Sequence, residues 1–190
     1  EYMGKKWPFG FDRDRYDDNA DHIAVIDKTT GKTIGCYRAI CSRRASDFYS
    51  NSEFQLQDLV ETLPSGPIIE LSRACVHPAF RSGATLALLW KGILKYAQIQ
   101  KAQYIIGIPS IKTTSAATAY QIVEELQKTG HYNGHIQLRT REDFQFQDSD
   151  HDDTSELESA AIPSLMKMYL KAGAKVVGEP AVDRTFQCTD

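Results

Sequence analysis

The stretch from Pro67 to Ile108 constrains the fold more than any other part of the chain. Pro67–Val76 is a β-rich run. Ser82–Gln100 follows with Leu86, Leu89, Trp90, Ile93 and Ala97 at helical spacing, and β character resumes at Tyr104–Ile108. Strands joined through a helix are not hairpin partners. They lie parallel, with the helix as crossover. Upstream, His22–Asp27 and Lys32–Ile40 are two β-rich runs around Thr29-Thr30-Gly31-Lys32, the pattern of an antiparallel hairpin with glycine at its turn. A parallel crossover added to an antiparallel hairpin gives a mixed sheet, so the expected class is α/β (α+β), mostly antiparallel, with helices on both faces.

The remaining segments fit that frame. A Phe54/Leu56/Leu59/Val60 pattern predicts one or two helical turns before Pro64-Ser65-Gly66-Pro67 breaks the chain. Ser115–Lys128 predicts a helix capped by Ser115 and stopped at Gly130, with Ala119, Ile122, Val123 and Leu126 on its apolar side. Glu142–Glu158 lacks apolar periodicity and reads as a long surface loop. Ile162–Ala172 predicts a helix ended by Gly173. Lys175–Val177 and Thr185–Cys188 read as short closing strands around Gly178-Glu179-Pro180.

At 190 residues and 42% hydrophobic content, one domain with a full core is expected. No apolar run approaches the roughly 20 residues that span a bilayer, and nothing at the start resembles a signal peptide, which points to a cytoplasmic protein. Trp7, Phe9 and Phe11 with Lys5 and Lys6 suit either a peripheral contact with membrane or acyl chain, or an N-terminal anchor to the core. Cys36, Cys41, Cys75 and Cys188 have no metal-ligand spacing and read as reduced structural thiols. His131, His135, His151, Asp152 and Asp153 likewise match no ligand pattern, so no metal is expected.

Charge is distributed unevenly. Arg73, Arg81, Lys91, Lys95, Lys101 and Lys112 occur between Leu71 and Val123 without an acid, whereas Glu142–Glu158 holds eight acids and no base. A basic helix is either a solvated face or a steering surface for an anionic partner. Nucleic acid is disfavoured, because the net charge is −3 and no aromatic platform is interleaved with the bases.

Chemistry concentrates in Glu70-Leu71-Ser72-Arg73-Ala74-Cys75-Val76-His77-Pro78-Ala79-Phe80-Arg81-Ser82-Gly83-Ala84. This passage resembles the acyl-donor segment of GNAT acyl-CoA N-acyltransferases, in which a strand ending in Val-x-Pro-x-x-Arg leads into a small-residue turn and a helix N-terminus. Amides exposed there suit a pyrophosphate or phosphopantetheine. Thr85-Leu86-Ala87 replaces the usual second glycine-bearing half, which favours a carrier held through its pantetheine arm. Asp14-Arg15-Tyr16-Asp17, Gly35-Cys36-Tyr37-Arg38 and Glu70-Leu71-Ser72-Arg73 resemble the spaced elements of acyl-homoserine-lactone synthases. Glu70 through Trp90, the Ile162–Ala174 segment and Gly178-Glu179-Pro180-Ala181-Val182-Asp183 are more similar to ornithine-lipid acyltransferases and long-chain N-acyl amino acid synthases.

The resemblance implies transfer of a long-chain acyl group from acyl carrier protein, or acyl-CoA, to the α-amine of an amino acid or ornithine derivative. It implies no tightly bound cofactor, and an upstream segment preceding Glu1. Ala74, Cys75, Val76, Arg81, Ser82, Gly83 and Ala84 would hold the donor, and Arg81, Lys91, Lys95 and Lys101 would meet the acidic carrier. Glu70 is the candidate base, its alternative being a structural ion pair with an arginine. Arg38 and Arg73 either hold a substrate carboxylate or orient Asp14 and Asp17, the acids assigned to substrate binding, the alternative being a purely structural network. Tyr120 would protonate the leaving thiolate, its alternative being core packing. A regular strand would send Glu70 and Arg73 to opposite faces; only a bulge alters that. Two rival readings are a lactone-forming synthase using S-adenosylmethionine and a non-catalytic module that binds acyl carrier or lipid.

Overall fold

The structure is a computed structural model and describes residues 12–81, 83–147, 150 and 162–190. Its internal contacts separate two compact units, residues 1–49 with 65–108 and residues 50–64 with 109–190.

The first unit is built on a four-stranded sheet in the order β1-β2-β3-β4. β1 (Ala20–Ile26) and β2 (Thr33–Cys41) form the expected hairpin, and β2 pairs antiparallel with β3 (Ile68–Val76). The helix α2 (Gly83–Gln100) then carries the chain to β4 (Tyr104–Gly107), parallel to β3. This is the crossover that the spacing of Pro67–Ile108 predicts. α2 buries Thr85, Leu89 and Ile93. It packs on the face that also carries Tyr37, Ala39 and Leu71, all buried. Alternation places Arg38 and Ile40 of β2, and Glu70 and Ser72 of β3, on the opposite face.

The second unit contains α1 (Leu56–Thr62), α3 (Ala116–Lys128), α4 (Ser164–Lys171) and a two-stranded antiparallel ribbon of β5 (Val182–Asp183) and β6 (Cys188–Thr189). Ile111, Ile122, Leu126 and Met166 form a buried cluster, with Tyr132, Ile162, Leu170 and Val176 packed around it. Ser115 Oγ accepts from Thr118 N–H at 3.3 Å, the cap its position implies. Gly130 and Gly173 follow their helices at φ of 72° and 95°, the left-handed stops expected of them.

Two closing strands differ from expectation. Val176 joins only an isolated parallel bridge to Tyr132, so Lys175–Val177 is not a strand. Thr185–Gln187 forms a turn instead of extending the last strand. Asp183 Oδ1 accepts from the Thr185 and Phe186 N–H groups at 2.7 and 2.9 Å, and Gln187 is left-handed at φ 54°. The carboxylate offers those two amides a local partner, which displaces the ladder. The loop beginning at Glu142 opens with a short 3-10 turn, Glu142–Phe144.

Candidate active site

β3 carries the bulge that the site requires. Cys36 pairs with Cys75 and Arg38 with Ser72, so Tyr37 alone on β2 opposes both Arg73 and Ala74 on β3. Arg73 adopts φ 53°, the left-handed conformation that glycine ordinarily supplies in one class of bulge. The extra residue resets the alternation. Arg73 thereby reaches the carboxylate that Arg38 also holds, from the same face of the sheet.

That face holds a connected set of charges. Arg38 is fully buried. Its Nε donates to Ser72 Oγ at 2.9 Å, and its Nη1 to Asp14 Oδ1 at 2.6 Å and Asp17 Oδ1 at 3.3 Å. Its guanidinium carbon lies 5.6 Å from the Tyr16 ring centroid and 5.8 Å from that of Tyr49. Nη2 is buried and meets no hydrogen-bond acceptor among the described residues. Arg73 donates to Asp14 Oδ2 at 2.9 Å and to both oxygens of Asp12. Asp14 and Asp17 also cap each other's turn: Asp14 N–H donates to Asp17 Oδ2 at 2.8 Å, and Tyr16 N–H to Asp14 Oδ1 at 2.9 Å. His22, opposite Arg38 on β1, places Nε2 at 3.5 Å from Asp17.

Burial alone would raise the Asp14 pKa. The Arg38 hydrogen bond, the Tyr16 amide, the Arg38 charge and Arg73 outweigh it and hold the carboxyl below its ordinary range. Asp14 is therefore a permanent anion at physiological pH.

Glu70 is 1% exposed and lies opposite Ile40, one step along the same face from Ser72. Its Oε2 accepts from the Tyr49 backbone N–H at 2.7 Å, and the Tyr49 ring lies against the Arg38 guanidinium. The structure thus joins Glu70, Arg38, Arg73, Asp14 and Asp17 through Tyr49, Ser72 and shared carboxylates. Sequence reasoning missed Asp12, Tyr16, Tyr49, Ser72 and His22. Ser72 lies within the quoted Glu70–Arg73 motif and Tyr16 within Asp14–Asp17, so both were within reach; nothing in the sequence around Tyr49 marks it.

The donor-segment residues lie where β3 outruns β4. β3 pairs with β4 only from Ile68 to Leu71, and the last pair is Leu71 with Gly107. A Cβ on Gly107 would fall 2.9 Å from the Leu71 carbonyl oxygen, so glycine lets the strands close up at the point where pairing ends. Beyond it Ala74, Cys75 and Val76 continue β3 with β2 on one side and no strand of the described residues on the other. His77 N–H donates to Ile34 O across β2, which by alternation turns the Val76 amide and carbonyl toward the side without a strand. The Val76 carbonyl accepts from Arg81 Nε at 3.3 Å, tying the turn to the strand end. Gly83 and Ala84 open α2; Ser82 lies outside the described residues.

Lys91 and Lys95 are exposed on the arc of α2 that also exposes Leu88, Leu94 and Ile99, and exposed Lys101 follows the helix. Tyr120 belongs to the second unit, on α3. Its ring lies 6.0 Å from that of Phe146, and burial, then Glu179, raises its hydroxyl pKa. Lys5, Lys6, Trp7, Phe9, Phe11, His151, Asp152 and Asp153 lie outside the described residues. In the second unit, Glu53, Asp183 and Asp190 bring carboxylate oxygens within 4.8 Å of one another, a grouping that their sequence separation hid. Burial raises the Asp190 pKa, against hydrogen bonds with Ser110 and Glu53 that lower it.

The profile of the acetyltransferase (GNAT) domain matches residues 1–91. The L-ornithine N(alpha)-acyltransferase of Rhodobacter capsulatus is 33% identical over 93% of this chain and 71% of its own length. That of Agrobacterium fabrum is 29% identical over 94% of this chain and 65% of its own. A Trypanosoma brucei acetyltransferase and an Arabidopsis thaliana glucosamine-6-phosphate N-acetyltransferase align over 66% and 64% of the chain, and over 70% and 66% of their own. At TM-scores of 0.36 and 0.35 and identities of 12% and 15%, they are too distant to bear on the site. The GNAT profile over β1, β2 and β3, together with the extent of the Rhodobacter match, places this chain in the L-ornithine N(alpha)-acyltransferase family of GNAT proteins.

Proposed function

We propose that the chain transfers a long-chain acyl group from the phosphopantetheine thioester of acyl carrier protein to the α-amine of ornithine. The observation that carries this reading is the buried face on which Glu70 and the incompletely satisfied Arg38 are joined. A buried guanidinium with a free N–H edge suits a substrate carboxylate. Around it Asp12, Asp14, Asp17 and Glu70 set four acids against Arg38 and Arg73, an excess that favours a cationic amino acid with a second amine.

In the proposed reaction Glu70, directly or through a water, takes a proton from the acceptor ammonium, and the freed amine nitrogen attacks the thioester carbonyl carbon. The C–S bond breaks as the amide C–N bond forms, without an acyl-enzyme. Tyr120, whose hydroxyl stays protonated at neutral pH, is the donor assigned to the departing thiolate. Ala74, Cys75, Val76, Arg81, Ser82, Gly83 and Ala84 are assigned to the donor arm. The Val76 amide turned away from β2 and the start of an 18-residue helix support that assignment. Arg81, Lys91, Lys95 and Lys101 are assigned to the acidic carrier, met in the cytoplasm beside the membrane that receives the product.

The test incubates the protein with long-chain acyl carrier protein, or acyl-CoA, and ornithine among other amino acids, and reads products by mass spectrometry. N-acylornithine is expected. A homoserine lactone from S-adenosylmethionine, or carrier binding without any product, would overturn the reading.

A further inference from the structure

Cys36 and Cys75 are directly opposite each other across the β2–β3 ladder, immediately after the bulge at Arg73 and Ala74. Directly opposed residues of an antiparallel pair have Cα atoms roughly 4.5–5.5 Å apart, within the span a disulfide bridges. Register partners share a face of the sheet, so both sulfurs leave the backbone on the side that carries Arg38. Cys75 is exposed and Cys36 half-buried, and both are free thiols. The other cysteines are placed differently. Cys41 is buried on the opposite face of β2, with its Sγ toward Gln100, and Cys188 lies in the second unit.

We propose that Cys36 and Cys75 form a dithiol oxidation site, closed to a cross-strand disulfide by a low-molecular-weight disulfide such as oxidised glutathione. In the first step the Cys75 thiolate attacks one sulfur of the oxidant, breaking its S–S bond and releasing one small thiol. In the second the Cys36 thiolate attacks Cys75 Sγ and releases the other small thiol. Two protein thiols lose two electrons and two protons, and the oxidant gains both. Exposure makes Cys75 the entry thiol. Burial, and then the charge of Cys75, raise the Cys36 pKa, which fits Cys36 to the second, intramolecular step. The neighbouring bulge interrupts regular pairing and gives the two strands room to adopt the torsion a disulfide needs. The proposal does not rest on the acyl-transfer reading.

The reduced full chain is incubated with oxidised glutathione, quenched with acid and digested with trypsin without reduction. Cleavage after Lys32, Arg38, Arg73 and Arg81 puts the two cysteines on separate peptides, residues 33–38 and 74–81. The expected product is these two peptides joined, lighter than their sum by two hydrogens, predominating over every other cysteine linkage and lost on reduction. Cys36→Ala is expected to lose the joined species and to gain a single glutathione on Cys75, with Cys41→Ala oxidising as the wild type does. Wild-type chain that keeps glutathione on Cys75 while Cys36 remains free, or that links Cys75 to Cys41 or Cys188, would overturn the proposal. The wild-type map decides this even where a variant fails to fold.

Discussion

Arg38 and Arg73 grip opposite oxygens of one carboxylate, Asp14, at 2.6 and 2.9 Å, although one arginine is buried in a regular strand and the other stands on a bulge. Their convergence depends on the extra residue in β3. It makes Asp14 the hinge of the charged face.

Asp14→Asn is expected to destabilise the fold by about 2 kcal/mol, because it strips buried Arg38 of an anion that it shares with exposed Arg73. A chain of this size should lose roughly 4–8 °C in Tm. The pH dependence follows from the lowered Asp14 pKa. The stabilisation is complete above the unfolded value near 4 and is lost as pH falls through the lower folded value. Melting curves of wild type and Asp14→Asn should therefore converge as pH drops below about 4. A constant gap down to strong acid would refute the linkage.

Glu70→Gln should lower the rate of acyl transfer by about 100-fold or more, the usual contribution of a positioned base. Fold should survive, since the amide oxygen can still accept from Tyr49 N–H. Single-turnover rates beside a thermal melt separate the two effects. A variant that keeps more than about a tenth of wild-type activity would remove Glu70 from the base role.

Arg73→Gly should be more stable than Arg73→Ala, the reverse of the usual ranking in a strand. Both lose the pairs with Asp12 and Asp14, but only alanine keeps the penalty of a left-handed φ, about 1 kcal/mol. Comparing the two denaturant midpoints tests this, and equal midpoints would argue that position 73 relaxes freely.

Gly107→Ala should cost about 1–3 kcal/mol, because the added methyl would press on the Leu71 carbonyl oxygen and that contact is backbone. Amide hydrogen exchange should quicken at Leu71 and Gly107 before it changes in β1. Unchanged exchange at those two positions would show that the strands absorb the methyl elsewhere.

Much of this architecture was legible because it follows from local periodicity. The β1–β2 hairpin, the β3–α2–β4 crossover and the caps at Ser115, Gly130 and Gly173 each depend on residues close in sequence. Glu70, Arg73, Arg38, Asp14 and Asp17 were recognisable as a set through motif resemblance. Their connectivity was not legible. An arginine at φ 53° carries no signature that separates it from an extended one, so the bulge that turns Arg73 toward Asp14 appears only in the β2–β3 register. Tyr49 takes part through its backbone N–H, a group every residue but proline possesses. The last closing strand, Thr185–Cys188, was misplaced because Asp183 captures two amides that a propensity argument assigns to a ladder.

The part of β3 that runs past Gly107 has a further consequence. Unpaired strand edges recruit other polypeptides, and among the described residues no strand pairs with this one. The bulge at Arg73 breaks the even spacing of donors and acceptors just where the edge opens, so an added protein strand would lose register after a residue or two. A flexible molecule carrying a few amides at its own intervals needs no such regularity. The same irregularity that bends Arg73 into the charged face thus works against the addition of a further protein strand at this edge.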